Sequence, residues 1–384
     1  MNTENNLSSK MQFILICCKS VIDENGIKII RNNVTTANNL EEISILAYGH
    51  GVYPLFYHTV MEHASDLIDQ EMKDAMAYLF KSIKVINETM VKELLHFIEI
   101  FEKHNIEVLS FKGPVLADIA YGDISLRQYL DLDIFCKRQD FKKISSILIA
   151  DGYKAQFSIE KFDDKTLFEF NHDVPFVNEE KGIVIEVHFE FFRKELYIPT
   201  EKFKPWESVK NTDILTRKIN TLSDETHLLF LAAHGSKHLW EKVEWIVDID
   251  KMVRYSENID WDLVTIKAKQ IGILNIFLSS LILSQNYFNT PLPNEIIKMN
   301  NNKITQFNNY FDKLILNSEA APNIATLSRI HKFTRMRDSL GLRVISFLSS
   351  ILRPNKSDRE IVQFSDKYFF LYWPFRFFRL ITKI

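Results

Sequence analysis

Cysteine is scarce in this 384-residue chain: there are three, two of them adjacent at Cys17 and Cys18. Three thiols cannot build a disulfide framework, and a reducing compartment is expected. Cys136 stands in a strand-like run and reads as a buried thiol. Net charge is equally sparse. A formal −3 leaves no overall basic field, so nucleic acid is not indicated as an obligatory partner, although a local basic groove stays compatible. Long apolar runs are missing too. The one run near the start, residues 11–18, is eight residues long, far short of the roughly 18 of a membrane span. It also lacks the small-residue cleavage pattern of an export signal. It reads as core helix, and the protein is expected in the cytoplasm. Internal repeats and long linkers are absent as well.

What is there is an ordinary globular mixture, 46% hydrophobic and 25% charged, in a length that suits two or three domains. Residues 1–10 are polar and are expected to be disordered. From 11 to 104 apolar residues recur at helical spacing, as in Val91, Leu94, Leu95, Ile98 and Phe101. Between 105 and 215 the pattern alternates. Residues 108–111 predict a strand, Lys112-Gly113 a turn, and Pro114 the start of a helix that Gly122 stops. Strands are predicted over 129–136 and 168–177, a helix over 141–150, and the clearest strand over 183–191. This alternation indicates an α/β or α+β domain. After a less regular stretch, Ser223 followed by two acids caps a helix expected to run to about Trp240. The remainder, within 216–384, reads as mainly helical.

The chemistry begins with Leu130-Asp131-Leu132-Asp133-Ile134. Strand side chains alternate, so the two aspartates share a face about 6.6 Å apart while the leucines and isoleucine share the other. The acidic face must look into a cleft. Like charges this close raise each other's pKa unless a cation sits between them, and hard divalent cations take oxygen ligands. In the 183–191 strand, Ile183, Ile185, Val187, Phe189 and Phe191 form one face, and Glu186, His188 and Glu190 the other with Val184. A pairing that sets Glu186 beside the aspartates places three carboxylates on one surface, as two-metal phosphoryl chemistry asks. Asp-x-Asp alone is a weak pattern, common on sheet surfaces. The upstream turn at Phe111-Lys112-Gly113 adds to it by offering N–H groups and a helix N-terminus to a phosphate. Lys112 adds a point charge there, or is an ordinary solvated lysine.

The order of strand, Lys-Gly turn, helix, Leu126-Arg127, Asp131-Leu132-Asp133 and Ile185-Glu186-Val187-His188 resembles the polymerase-β-like nucleotidyltransferase superfamily. It is more closely similar to a bacterial family of uncharacterised nucleotidyltransferases. His234-Gly-Ser-Lys237-His238-x-Trp240, Trp245-x-x-Asp248 and Tyr372-Trp373-Pro374-Phe375-Arg376 resemble that family too, and the likeness covers roughly residues 40 to 380. It implies an α+β fold, a small mixed β-sheet core flanked by N-terminal and C-terminal helical regions. It implies transfer of an NMP from an NTP such as ATP to a hydroxyl or phosphate acceptor, with Mg²⁺ or Mn²⁺. Carried across, Asp131 and Asp133 would ligate both metals, and Glu186 would hold the metal nearer the acceptor hydroxyl and assist its deprotonation. The superfamily's turn normally has a serine after the glycine. Here Pro114 removes that hydroxyl and one N–H donor, which shifts the grip on the triphosphate from the Gly113 turn to Lys112 and Arg127.

Other residues carry two readings each. Arg127 either clamps a phosphate with its planar fork or pairs with Asp131 or another nearby acid. His234 and His238 stand at i, i+4, but no Glu lies between them and no third zinc ligand is evident. Packing is expected there, with Lys237 and His238 facing substrate or phosphate. Trp240 and Trp245 are expected in the core. His188 either orients a ligand or is a satisfied polar group at the cleft edge. The aromatic and basic tail from Tyr368 reads as a terminal helix docking on the core, with membrane-surface contact as the alternative. Two other functions fit the acidic pair. An Asp-x-Asp glycosyltransferase using a nucleotide sugar leaves Glu186 and the Lys-Gly turn without a role. A catalytically inactive nucleotide-binding module would keep the fold alone. The acceptor, whether small molecule, peptide, protein or RNA end, is not specified by any motif.

Overall fold

The computed structural model describes residues 9–36, 40–157, 159, 164–215, 217–316 and 326–382. Most of the leader, residues 1–8, lies outside them, while Ser9 and Lys10 open a helix, Ser9–Cys17. That corrects the disordered reading for those two positions. The apolar run is core as expected: Met11, Phe13, Ile14, Leu15 and Ile16 are all buried, because a helix apolar on every side has to be enclosed. A longer helix, Gln70–Lys103, is capped by Asp69, whose carboxylate accepts the Met72 N–H at 2.8 Å. It buries Met90, Val91, Leu94, Phe97, Ile98 and Phe101 along one stripe.

That stripe covers a five-stranded mixed sheet of order β1-β2-β5-β4-β3. The strands are β1 (Val108–Ser110), β2 (Asp131–Cys136), β3 (Lys154–Ala155), β4 (Asp173–Asn178) and β5 (Ile183–His188). β2 runs parallel to β5 and antiparallel to β1, and β4 is antiparallel to both β5 and β3. The fold is α+β, as the resemblance implied. A second core gathers Leu228, Leu229, Ile246, Val247 and Phe277 from the C-terminal helices and Trp240 from a turn between two of them with Phe13 and Phe56 from the N-terminal ones.

Three local expectations change. Residues 164–170 form a helix, Asp164–Phe170, and the strand begins only at Asp173. The alternation Phe168-Glu169-Phe170 resembles a strand, but the Asp366 carboxylate accepts the Lys165 and Thr166 N–H groups at 2.8 Å each and caps that helix from 200 residues away. β5 stops at His188 rather than 191, because Phe189 and Glu190 both donate to the His172 carbonyl. The helix after Ser223 is Asp224–Lys237, three residues shorter at its end than expected; Leu239 and Trp240 adopt positive φ. A hairpin also stands in the stretch read as irregular, formed by β6 (Val209–Ile214) and β7 (Arg217–Leu222). No helix among the described residues is long and apolar enough to cross a membrane.

Candidate functional site

The β2–β5 register sets Asp133 opposite Glu186, Leu132 opposite Ile185 and Phe135 opposite His188. Leu132, Ile134, Ile185 and Val187 pack into the sheet core, so the alternation turns Asp131, Asp133, Glu186 and His188 to the other side. Leu130 does not share the packed face. It precedes the first strand residue and is exposed. Beneath the polar group lies an aromatic floor, with Phe111 edge-on to His188 at 5.3 Å and to Phe230 at 4.9 Å.

His188 Nε2 lies 3.0 Å from Asp133 Oδ1 and 3.3 Å from Glu186 Oε2. Lys112 Nζ approaches the same Asp133 oxygen at 3.4 Å. Burial alone would push the Asp133 carboxyl up. The Lys112 ammonium and the His188 hydrogen bond outweigh it and hold the group below the usual carboxylate range. Asp131 goes the other way, raised by burial and by the Asp133 charge. Burial would lower His188, but its bonds to Asp133 and Glu186 raise it to about 9.

Ligating atoms of Asp133, Glu186 and His188 all lie within 4.8 Å of one another. Asp133 Oδ2 is buried with no hydrogen-bond partner. Two carboxylates, one with an orphaned oxygen, and an imidazole that would give up its proton on ligation fit a divalent cation. Asp131 lines the same cleft on the same strand face, outside this tight group, and His188 stands within it.

The cleft encloses about 400 Å³. Lys112 lines it; Gly113 is buried behind it. At Gly113 φ is +52°, and a Cβ would meet the Asp131 carbonyl at 3.1 Å. Glycine is needed there for the turn against β2, and the expected phosphate contact through Gly113 is not among the cleft walls. Opposite stand His234, Lys237 and His238 from Asp224–Lys237 and its cap, and Trp245 from the helix Glu244–Tyr255. Burial, with Arg193 and Lys112 nearby, lowers Lys237 to about 8. Burial and Lys237 lower His238 to about 3. The His238 and Trp245 rings lie 5.0 Å apart at 32°. Trp245 therefore borders the cleft, whereas Trp240 is core, fully buried against Phe311 at 4.7 Å.

Arg127 follows the second of its two readings, and the acid is Asp248 rather than Asp131. Nε meets Asp248 Oδ1 at 2.8 Å and Nη2 meets Oδ2 at 3.0 Å. The Tyr121 hydroxyl donates to the same carboxylate at 2.7 Å. This buried knot ties the segment leading into β2 to the C-terminal helices. Sequence reasoning missed His172, Asp173 and Arg193 as cleft residues. The His172-Asp173 pair was the available signal, because Asp173 opens β4 directly opposite His188.

A solved structure described as an antigenic nucleotidyltransferase-like protein from Paracoccidioides brasiliensis is similar over 58% of this chain and 97% of that chain, at 12% identity and a TM-score of 0.36. No curated protein matches. A family model described as "Uncharacterised nucleotidyltransferase" matches residues 36–289, about two thirds of the sequence, including Lys112, all three carboxylates, Lys237 and Asp248. The chain belongs to the uncharacterised nucleotidyltransferase family.

Proposed function

We propose that this protein is a divalent-cation-dependent nucleotidyltransferase that moves an NMP from an NTP, such as ATP, to a hydroxyl or phosphate acceptor and releases pyrophosphate. Residues 105–215 serve as its catalytic domain. The observation that carries this reading is the pairing of Asp133 with Glu186 across β2 and β5, beside Lys112, with Glu186 and Asp131 lining the cleft and Asp133 buried behind them. Asp133 and Glu186 would hold Mg²⁺ or Mn²⁺, with Asp131 and His188 flanking. When bound, the cation neutralises phosphate charge and lowers the pKa of the attacking hydroxyl. Glu186 accepts the acceptor's proton as its oxygen bonds to the α-phosphorus and the bond to the β-phosphate oxygen breaks. Lys112, Lys237 and Arg193 balance the phosphates. Arg127 acts through Asp248 as a positioning residue instead of a clamp. His238 and Trp245 form the far wall against which substrate rests.

A screen of labelled NTPs with Mg²⁺ or Mn²⁺ and candidate acceptors from cell extract tests this. Wild type should release pyrophosphate, and Asp133→Asn should not. Equal turnover by both would overturn it. The burial of Gly113 and Pro114 behind the turn favours a second reading, a nucleotide-binding module without turnover. Mg·NTP binding by calorimetry without pyrophosphate release in any acceptor mixture would select that one.

A further inference from the structure

Two C-terminal helices are packed inside out. Leu340–Leu352 turns Leu342, Ser346 and Ser349 inward, where the Ser349 hydroxyl donates to the Lys194 carbonyl at 3.4 Å. Most of its apolar residues face outward instead: Leu340, Val344, Ile345, Phe347, Leu348 and Leu352 are all exposed. The last helix, Tyr372–Thr382, repeats the arrangement. Tyr372, Arg376 and Arg379 point inward at i, i+4, i+7. Arg379 Nε meets the fully buried Asp358 at 2.9 Å, and Arg376 donates to the Ile351 carbonyl at 3.0 Å. Outward stand Trp373, Phe377, Phe378, Leu380 and Ile381, with Phe377 59%, Phe378 56% and Ile381 66% exposed.

Charges buried and large apolar groups exposed is the reverse of a water-facing helix. Of the twelve Lys and Arg from residue 326 onward, Arg337, Arg376 and Arg379 are turned inward, whereas Arg335, Lys356 and Lys367 are exposed against one exposed acid, Glu360, among the described residues. That exposed excess complements an anionic surface. The helices have 13 and 11 residues, too few for the roughly 20 that span a bilayer. Tyr368 and Trp373 add the amphipathic rings that settle at headgroup level. All of this lies beyond the residues matched by the family model.

We infer that the outward faces of Leu340–Leu352 and Tyr372–Thr382 dock this protein on an anionic lipid bilayer as an in-plane, non-spanning anchor. The apolar side chains enter the acyl boundary and the basic excess meets the headgroups.

Flotation of the full chain with vesicles of mixed phosphatidylglycerol and phosphatidylcholine, against phosphatidylcholine alone, tests this. Wild type should float with the anionic vesicles, about tenfold less with neutral ones or in about 0.5 M salt. Val344→Glu/Leu348→Glu and Phe377→Glu/Phe378→Glu should each lower binding about tenfold with unchanged thermal midpoints. Should a variant fail to fold, the dependence of wild type on lipid charge and salt still decides. Wild type that does not float, or folded variants that float equally, would overturn the inference. So would a dimer in sedimentation that those substitutions dissolve while vesicles bind neither form.

Discussion

His188 Nε2 stands 3.0 Å from Asp133 Oδ1, and together with the Lys112 ammonium that hydrogen bond lets a wholly buried aspartate remain ionised. Lys112 supplies the second positive group to the same oxygen. A protonated ring and an ammonium thus do the electrostatic work that an ion between Asp133 and Glu186 would do.

Glu186→Gln takes away one carboxylate of this group while leaving its shape. Its side chain is 27% exposed, so the thermal midpoint should move by no more than about 3 °C. Mg²⁺-dependent pyrophosphate release should fall by about a hundredfold or more. Turnover at the wild-type rate would remove Glu186 from the site.

Arg127→Met strands the Asp248 carboxylate in the interior with only the Tyr121 hydroxyl beside it. Breaking a buried pair in this way is expected to destabilise by about 3–5 kcal/mol, and adding Asp248→Leu should restore most of it. Urea unfolding of both variants checks the prediction. A phosphate clamp would show the opposite balance, with stability kept and only the KM for NTP raised.

Gly113→Ala forces a side chain onto a residue at φ +52° and into the Asp131 carbonyl. A loss of about 1–2 kcal/mol is expected, together with lower turnover because β2 carries Asp131 and Asp133. A variant as stable as wild type would show that the turn can rearrange.

His50 is 1% exposed, and neither ring nitrogen finds a hydrogen-bond partner. Burial, with Lys242 nearby, lowers its pKa from 6.5 to about 4. The unfolded chain therefore takes up this proton first. Stability contributed by neutral His50 is complete above pH 6.5 and is lost as pH falls toward about 4, by up to about 3 kcal/mol. His50→Leu should be no less stable at pH 7 and should lose that much less by pH 4. Parallel unfolding curves for the two proteins across this range would refute it.

Much of the five-stranded sheet was legible because its signals are local. The helix Phe141–Ala150 ends where its apolar period ends. The period-two alternation around Ile183, Ile185 and Val187 makes β5 and turns Glu186 to the face opposite the core. Placing Glu186 beside the aspartates needed only that β2 and β5 be neighbours. The presence of His188 in the tight group was not legible. It depends on which side chain is long enough to reach Asp133 across β2 and β5.

Composition and periodicity therefore determined an α/β or α+β class, the buried run at 11–18 and the shared strand face of Asp131 and Asp133, since each follows from side chains a few residues apart. Partnerships between distant segments were settled only by tertiary packing. Arg127 chose Asp248, 121 residues on. Asp366 made a helix of a strand-like segment 200 residues before it. Asp358 drew Arg376 and Arg379 inward and left the aromatic face of the last helix outside. A buried charge must find an opposite charge wherever the fold supplies one, and no local pattern in the chain says where that will be.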